Sequence, residues 1–138
     1  MSDADLAALV QAVTEAEQMT SAEIRVHLDH RCQGDALARA VKLFERLDMH
    51  RTRLRNGVLI YVAVEDRKLA VIGDTGIHEH VGGTFWQRLV AATLDHLRQA
   101  RPRDGLVEAV RDVGAVLRVH FPRDPEDRNE LSDEVSFT

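Results

Sequence analysis

The feature that most constrains the fold is a pair of apolar runs separated by three charged residues. Residues 57–64 carry no charge and are rich in β-branched side chains, which is typical of a strand buried on both faces. Glu65, Asp66 and Arg67 follow, and a shorter run occupies residues 68–72. A short polar connection between two such runs predicts a β-hairpin at the centre of a sheet.

The chain before the hairpin predicts one helix and one strand. Apolar residues recur at helical spacing from Asp3 to about Gln18. Residues 20–23 have the pattern of a capping box, which favours a second helix, but residues 24–28 alternate between apolar and polar. The alternation favours a strand, with Arg25 and His27 facing away from the core.

Three further helices are expected around the hairpin. Asp35 is placed to cap a helix that ends near residue 50. Residues 73–83 are acidic and rich in glycine, which predicts a loop, and Thr84 can then cap the next helix. Asp104 can cap the last helix, which Pro122 ends.

The order α, β, α, β, β, α, α predicts an α/β fold. A strand-helix-strand unit makes the first two strands parallel, and the hairpin makes the third antiparallel to the second. We therefore expect a single-domain α/β/α sandwich, with a small mixed β-sheet flanked by helices in Rossmann-like layering. Residues 1–122 form the predicted domain, and residues 123–138 are an acidic C-terminal tail.

Composition excludes several functional classes. The net charge of −5 over 138 residues argues against a general nucleic-acid binder and is compatible with cation binding. Cys32 is the single cysteine, so no intrachain disulfide forms. No apolar run approaches the roughly 18 residues of a membrane span, and the N-terminus lacks a basic region. We expect a soluble, cytoplasmic chain without membrane insertion.

The predicted topology gathers oxygen-bearing side chains at one edge of the sheet. Glu23 begins the first strand, Asn56 begins the second, and Asp74 ends the third, which runs in the opposite direction. Carboxylate and amide oxygens suit Ca²⁺ or Mg²⁺ better than zinc, and Gly73 and Gly76 could add backbone carbonyls. The alternative is that Asp74 stabilises only a turn and Glu23 is solvated.

A second, weaker candidate cation site lies at the opposite edge. Asp29, Asp66 and Asp104 should meet there, although each could equally be an ordinary turn or cap residue. The glycines at 73, 76, 82 and 83 do not have the spacing of a dinucleotide fingerprint, and no phosphate-binding loop motif occurs.

Several spaced segments resemble the TPM domain family, and in particular its soluble bacterial members. They are residues 56–60 with the polar turn that follows the strand, residues 20–24, Phe85-Trp86, and residues 129–137. The family includes a thylakoid-lumen phosphatase-like protein. The resemblance covers nearly the whole chain.

The resemblance implies two alternative functions. Some TPM domains bind Ca²⁺, which favours a Ca²⁺-binding, non-catalytic accessory or interaction module that assists an unidentified protein partner, with Mg²⁺ binding more weakly. Acid phosphatase activity attributed to the plant member implies instead a metal-assisted phosphatase acting on phosphate monoesters. No nucleophile motif is evident in the sequence for such a reaction, and no catalytic residue can be assigned.

Overall fold

The computed structural model describes residues 1–123 and 135–137, over which the chain forms four α-helices, a short 3-10 helix and four strands. In chain order they are α1 (Asp3–Gln18), β1 (Ile24–Asp29), α2 (Ala36–Arg46), the 3-10 helix (Met49–Arg51), β2 (Val58–Ala63), β3 (Lys68–Gly73), α3 (Thr75–Arg98), α4 (Pro102–His120) and β4 (Ser136–Phe137). The predicted order of the first seven major elements is confirmed.

The sheet is mixed and has the strand order β3-β2-β1-β4. β1 and β2 are parallel, with Ile24 opposite Val58, and β3 is antiparallel to β2, with Gly73 opposite Val58. All six residues of β2 are buried, as its uncharged run predicts. This confirms the α/β fold class and the doubly buried strand.

Alternate residues of the strands pack into two separate clusters, one on each face of the sheet. One face, with Val26 and Ile60 at its centre, packs against α1, α3 and α4. The other, which carries Leu59 and Tyr61, packs against α2. The sheet is therefore covered by helices on both sides, which is the layered arrangement expected of this fold class.

The C-terminal segment contributes a strand that the sequence does not predict. β4 runs parallel to β1, with Ser136 opposite His27. Pro122 forms an isolated bridge with Thr20, so the end of α4 reaches the edge where β1 begins, as the topology requires. The part of the predicted tail between residues 124 and 134 lies outside the described residues, as does Thr138.

The glycine-rich segment after β3 is helical, so the prediction of a loop over residues 73–83 is wrong. Asp74 caps α3 by accepting a hydrogen bond from the Thr75 N–H at 2.7 Å, and Ile77 is fully buried. The helix is interrupted only at Gly82, whose φ of 70° is non-helical. The helix predicted to start at Thr84 is therefore the part of α3 that continues after the break at Gly82.

The start of α4 also differs from the prediction. The helix begins at Pro102, and its N-cap is Arg101, which makes no side-chain capping bond. Asp104 lies in the first turn of the helix, where a carboxylate is favoured by the helix dipole. Within the described residues, none of the helices is long and apolar enough to cross a bilayer.

Candidate metal centre

The register of the sheet places Glu23, Asn56 and Asp74 at one edge, as the topology predicts. The Val58 N–H donates to the Glu23 carbonyl at 2.8 Å, which joins the first two strand ends. The Asp74 N–H donates to the Gly57 carbonyl at 3.0 Å, which joins the second strand end to the third. Three neighbouring strand ends therefore carry the three oxygen-bearing side chains.

All three residues are withdrawn from solvent. Glu23 is 3% exposed, Asn56 2% and Asp74 5%, so the alternative of a solvated Glu23 does not hold. Buried polar groups are costly unless they bind a partner. The Asn56 side-chain N–H₂ group has no hydrogen-bond partner among the described residues, and rotating the amide by a half turn would present its oxygen there instead.

Asp74 already holds a cationic side chain. Arg55 donates two hydrogen bonds to its carboxylate, from Nε to Oδ2 at 2.7 Å and from Nη2 to Oδ1 at 2.9 Å. This bidentate pair raises the pKa of Arg55 above its ordinary value. The Arg55 side chain is 50% exposed, whereas that of Asp74 is only 4% exposed. The guanidinium therefore covers the carboxylate from the solvent side.

The second candidate site, at the opposite edge, consists of Asp29, Asp66 and Asp104, and each of these aspartates contacts different partners. Asp29 accepts hydrogen bonds from the Tyr61 hydroxyl and from Arg39, and Asp66 accepts one from the Cys32 N–H at 2.8 Å. Asp104 contacts Arg103 and lines a groove between α1 and α4. Over the described ranges, no group of three or more His, Cys, Asp or Glu residues is arranged to hold a metal ion.

His27 anchors a buried polar network that sequence reasoning missed. It was expected at the surface but is 2% exposed, and its ring nitrogens lie 2.7 Å from the Ser136 hydroxyl and 3.4 Å from Asp29 Oδ1. The ring stacks on Tyr61 with centroids 6.2 Å apart. The available signal was Tyr61, the one polar side chain in an otherwise apolar strand, because a buried tyrosine hydroxyl requires a partner.

The electrostatics of this network are those of a neutral histidine beside a stabilised carboxylate. Burial lowers the pKa of His27, and the neighbouring Asp29 opposes that shift without cancelling it. Burial works to raise the pKa of Asp29, but hydrogen bonds from Tyr61 and Arg39 outweigh it, so that pKa is lowered. Burial and the bond to Asp29 raise the pKa of Tyr61. The network is suited to holding β1, β2, α2 and β4 together.

We expect the free energy of unfolding to fall as the pH is lowered from 7 to 5, partly because of His27. Its pKa is lower in the folded state than the ordinary value of about 6.5, so the unfolded chain binds the proton more readily. This contribution to the free energy of unfolding is complete above the unfolded-state pKa of about 6.5 and is lost as the pH falls from there toward the folded-state pKa. Over that interval the free energy of unfolding changes by at most about 1.4 kcal/mol per pH unit.

Urea denaturation of wild type and His27→Gln at several pH values measures this effect. The slope should decrease in His27→Gln and stay at the wild-type value in His30→Gln, which replaces an exposed histidine next to the same strand. Equal slopes in all three proteins would show that His27 does not carry the pH dependence.

The fold and the strand edge together describe one class of protein, a single α/β domain with buried oxygen-bearing residues at one edge of its mixed sheet. The family model described as "TPM domain" matches residues 1–116. The chain therefore belongs to the TPM domain family, as the resemblance of its segments predicted.

Solved structures of similar chains support the same fold. The BA42 protein of the psychrophilic bacterium Bizionia argentinensis is 38% identical, with a TM-score of 0.90 over 100% of this chain and 95% of its own. An N-terminal domain from P. gingivalis is 18% identical, with a TM-score of 0.73 over 90% of this chain and 82% of its own.

A third structure, an N-terminal domain from Corynebacterium glutamicum, is 16% identical, with a TM-score of 0.61 over 85% of this chain and 74% of its own. At 16% and 18% identity, the similarities to the Corynebacterium glutamicum and P. gingivalis domains concern the fold alone. A comparison with proteins of curated function finds no match.

Proposed function

We propose that this TPM domain binds a divalent cation at the edge formed by Glu23, Asn56 and Asp74, and that it acts as a non-catalytic module for a protein partner. The observation that carries the proposal is that three neighbouring strand ends, at one edge of the sheet, carry oxygen-bearing side chains that are each at most 5% exposed. A bound cation would give the Asn56 amide, once its oxygen faces this edge, a partner that its side-chain N–H₂ group lacks among the described residues.

The donor set favours Ca²⁺ over Mg²⁺. Two carboxylates and one amide supply hard oxygen ligands without imposing a regular octahedron, and Ca²⁺ tolerates such irregular coordination. The carbonyl expected from Gly76 is not available, because Gly76 lies in the first turn of α3, where carbonyls point away from the N-terminal end. Water would complete the coordination.

The surroundings favour moderate affinity. The positive end of the α3 dipole lies at Asp74, and Arg55 competes for the same carboxylate. We therefore expect a dissociation constant on the order of 10⁻⁴ M, in the weak part of the range of protein Ca²⁺ sites, because few carboxylates would bind the ion. A site of this affinity would respond to Ca²⁺ concentrations near its dissociation constant and would be empty under calcium-poor conditions.

The alternative, a metal-assisted acid phosphatase, rests on the family resemblance. A carboxylate nucleophile would have to reach a phosphate monoester, and Asp74 is both buried and engaged by Arg55 and Thr75. We therefore favour the binding module. An aryl phosphate supplied with Ca²⁺ or Mg²⁺ at pH 5–7 should not be hydrolysed. Turnover that Asp74→Asn abolishes would establish the phosphatase instead.

The direct test is a Ca²⁺ titration followed by amide chemical shifts of the whole chain. We expect saturable shifts at residues 23–24, 56–58 and 74–76. Asp74→Asn should weaken binding at least about tenfold, because it removes one of only two charged ligands. The matched control is Asp66→Asn, which makes the same change at the opposite edge and should leave the affinity unchanged.

Two results would contradict the proposal. Wild type without saturable shifts would show that no site exists at this edge. Loss of binding in Asp66→Asn together with normal binding in Asp74→Asn would place the cation at the edge that carries Asp29 and Asp66.

A further inference from the structure

We propose that Arg55 is a displaceable counter-ion for the cation site: its guanidinium neutralises Asp74 when the site is empty and moves away when a cation binds. This inference rests on the proposed function. Its basis is the bidentate pair, in which Nε and Nη2 of Arg55 occupy Oδ2 and Oδ1 of Asp74 at 2.7 and 2.9 Å. Arg55 therefore stands where a metal ion would approach that carboxylate.

Arg55 and the Thr75 N–H together use three of the roughly four acceptor positions of the Asp74 carboxylate, so a cation has little room to bind while the guanidinium stays. Oδ1 also accepts the capping bond from the Thr75 N–H at 2.7 Å, which anchors the carboxylate to the start of α3. A divalent ion beside the guanidinium would add like-charge repulsion at a site that is largely shielded from water. The Arg55 side chain can move away from the carboxylate more readily than Asp74 can, because the Arg55 side chain is half exposed and Asp74 is buried.

The backbone of Arg55 is fixed, so only its side chain would move. Arg55 has a φ of 51°, in the left-handed region that non-glycine residues seldom adopt. Its carbonyl accepts a hydrogen bond of 2.7 Å from the Gly76 N–H, which ties the loop between the 3-10 helix and β2 to α3. The loop can thus keep Asn56 in place while the guanidinium is exchanged for a metal ion.

An adjacent groove offers the side chain another position. It lies between α2 and β3, and Arg55 already forms part of its wall together with Val41, Phe44, Glu45, His50 and Ile72. The apolar members can pack against the methylene stem, and the exposed carboxylate of Glu45 can accept the guanidinium. Cation binding would then change the charge distribution on the surface of α2, and a partner protein could recognise that change.

The test compares Ca²⁺ affinity in wild type, Arg55→Gln and Arg51→Gln by amide chemical-shift titration. Removing the competing charge should tighten binding about tenfold in Arg55→Gln. Arg51→Gln is the matched control, since it removes the same charge from the same loop region but from an exposed side chain paired with Asp48. Its affinity should change less than about twofold, because exposed charges are screened.

A second measurement follows the Arg55 Nε–H resonance of wild type during the titration. It should shift toward the position of a solvated guanidinium as the cation binds, in step with the amides of residues 74–76. This readout is independent of any loss of stability in Arg55→Gln.

The outcomes separate this inference from the function on which it rests. If wild type binds Ca²⁺ while Arg55→Gln is no tighter and the Nε–H resonance does not move, the cation site stands and the counter-ion role is overturned. If only Arg55→Gln binds, Arg55 does occupy the site, but the native chain is not a Ca²⁺-binding module at that concentration. If neither protein binds, both ideas are wrong.

Discussion

Gly76→Ala is expected to destabilise the fold by about 2–3 kcal/mol, the upper part of the usual range for overpacked sites. Taken alone, a change from Gly to Ala inside a helix stabilises by about 1 kcal/mol. Here the added methyl carbon would lie 2.1 Å from the Leu54 carbonyl oxygen and 2.6 Å from that of Arg55. Both are backbone atoms, so the loop must move away from α3, and the steric cost exceeds the gain in helix propensity.

Urea denaturation measures this effect, and the chain offers a matched control. Gly83 also lies in α3, immediately after the break at Gly82, and a methyl carbon added there meets no atom within 4 Å. Gly83→Ala should therefore keep or slightly raise the free energy of unfolding. Equal stability of Gly76→Ala and Gly83→Ala would show that the loop at residues 54–55 does not pack tightly on α3.

Much of the fold and the location of the candidate site follow from the sequence. The uncharged run that forms β2 predicts a doubly buried strand, because neither face of it carries a charge. Once the crossover and the hairpin are assigned, geometry requires the start of β1, the start of β2 and the end of β3 to meet. The sequence therefore predicts that Glu23, Asn56 and Asp74 lie at the same edge of the sheet, and the backbone hydrogen bonds between the strand ends agree.

The parts that could not be predicted depend on contacts distant in sequence or on local backbone geometry. His27 looked like a surface residue because nothing in the alternation of β1 indicates that β4 returns to cover it. The helical start of α3 was hidden by glycines, and Gly76 is there for close packing, since its neighbours are the carbonyls of Leu54 and Arg55.

Arg55 illustrates the same limit at the site itself. Arg55 pairs with Asp74 and has a positive φ, and no sequence pattern predicts that backbone conformation at a non-glycine residue. The sequence predicts three candidate ligands at the strand edge but does not show that one of them already has a cationic partner. The pairing changes the expectation from a preformed site to one in which a cation must compete.

Ca²⁺ is expected to raise the melting temperature of the wild-type domain by roughly 6–12 °C at about 10 mM, a hundredfold excess over a dissociation constant on the order of 10⁻⁴ M. A ligand that binds only the folded state stabilises it by RT ln(1 + [Ca²⁺]/Kd), which is about 3 kcal/mol at that excess. Mg²⁺ at the same concentration should give a smaller shift, because it requires near-octahedral coordination and loses its water reluctantly.

Asp74→Asn is a sharper comparison than Asp74→Ala. Asp74 caps α3 through the Thr75 N–H and holds Arg55, so alanine would remove a cap worth about 1 kcal/mol together with the ligand. Asparagine keeps an oxygen for the cap and removes the charge that a cation requires. The change in melting temperature between chelator and Ca²⁺ can then be compared in Asp74→Asn and wild type, whatever the stability of the variant itself.

Melting curves of wild type and Asp74→Asn in chelator, in about 10 mM Ca²⁺ and in about 10 mM Mg²⁺ test directly whether the domain binds a cation through Asp74. We expect a Ca²⁺-dependent rise of roughly 6–12 °C in wild type, a smaller rise with Mg²⁺, and the loss of most of the Ca²⁺ rise in Asp74→Asn. Identical wild-type melting temperatures in chelator and Ca²⁺ would show that no cation site exists, and a full Ca²⁺ shift retained by Asp74→Asn would show that the site does not include Asp74.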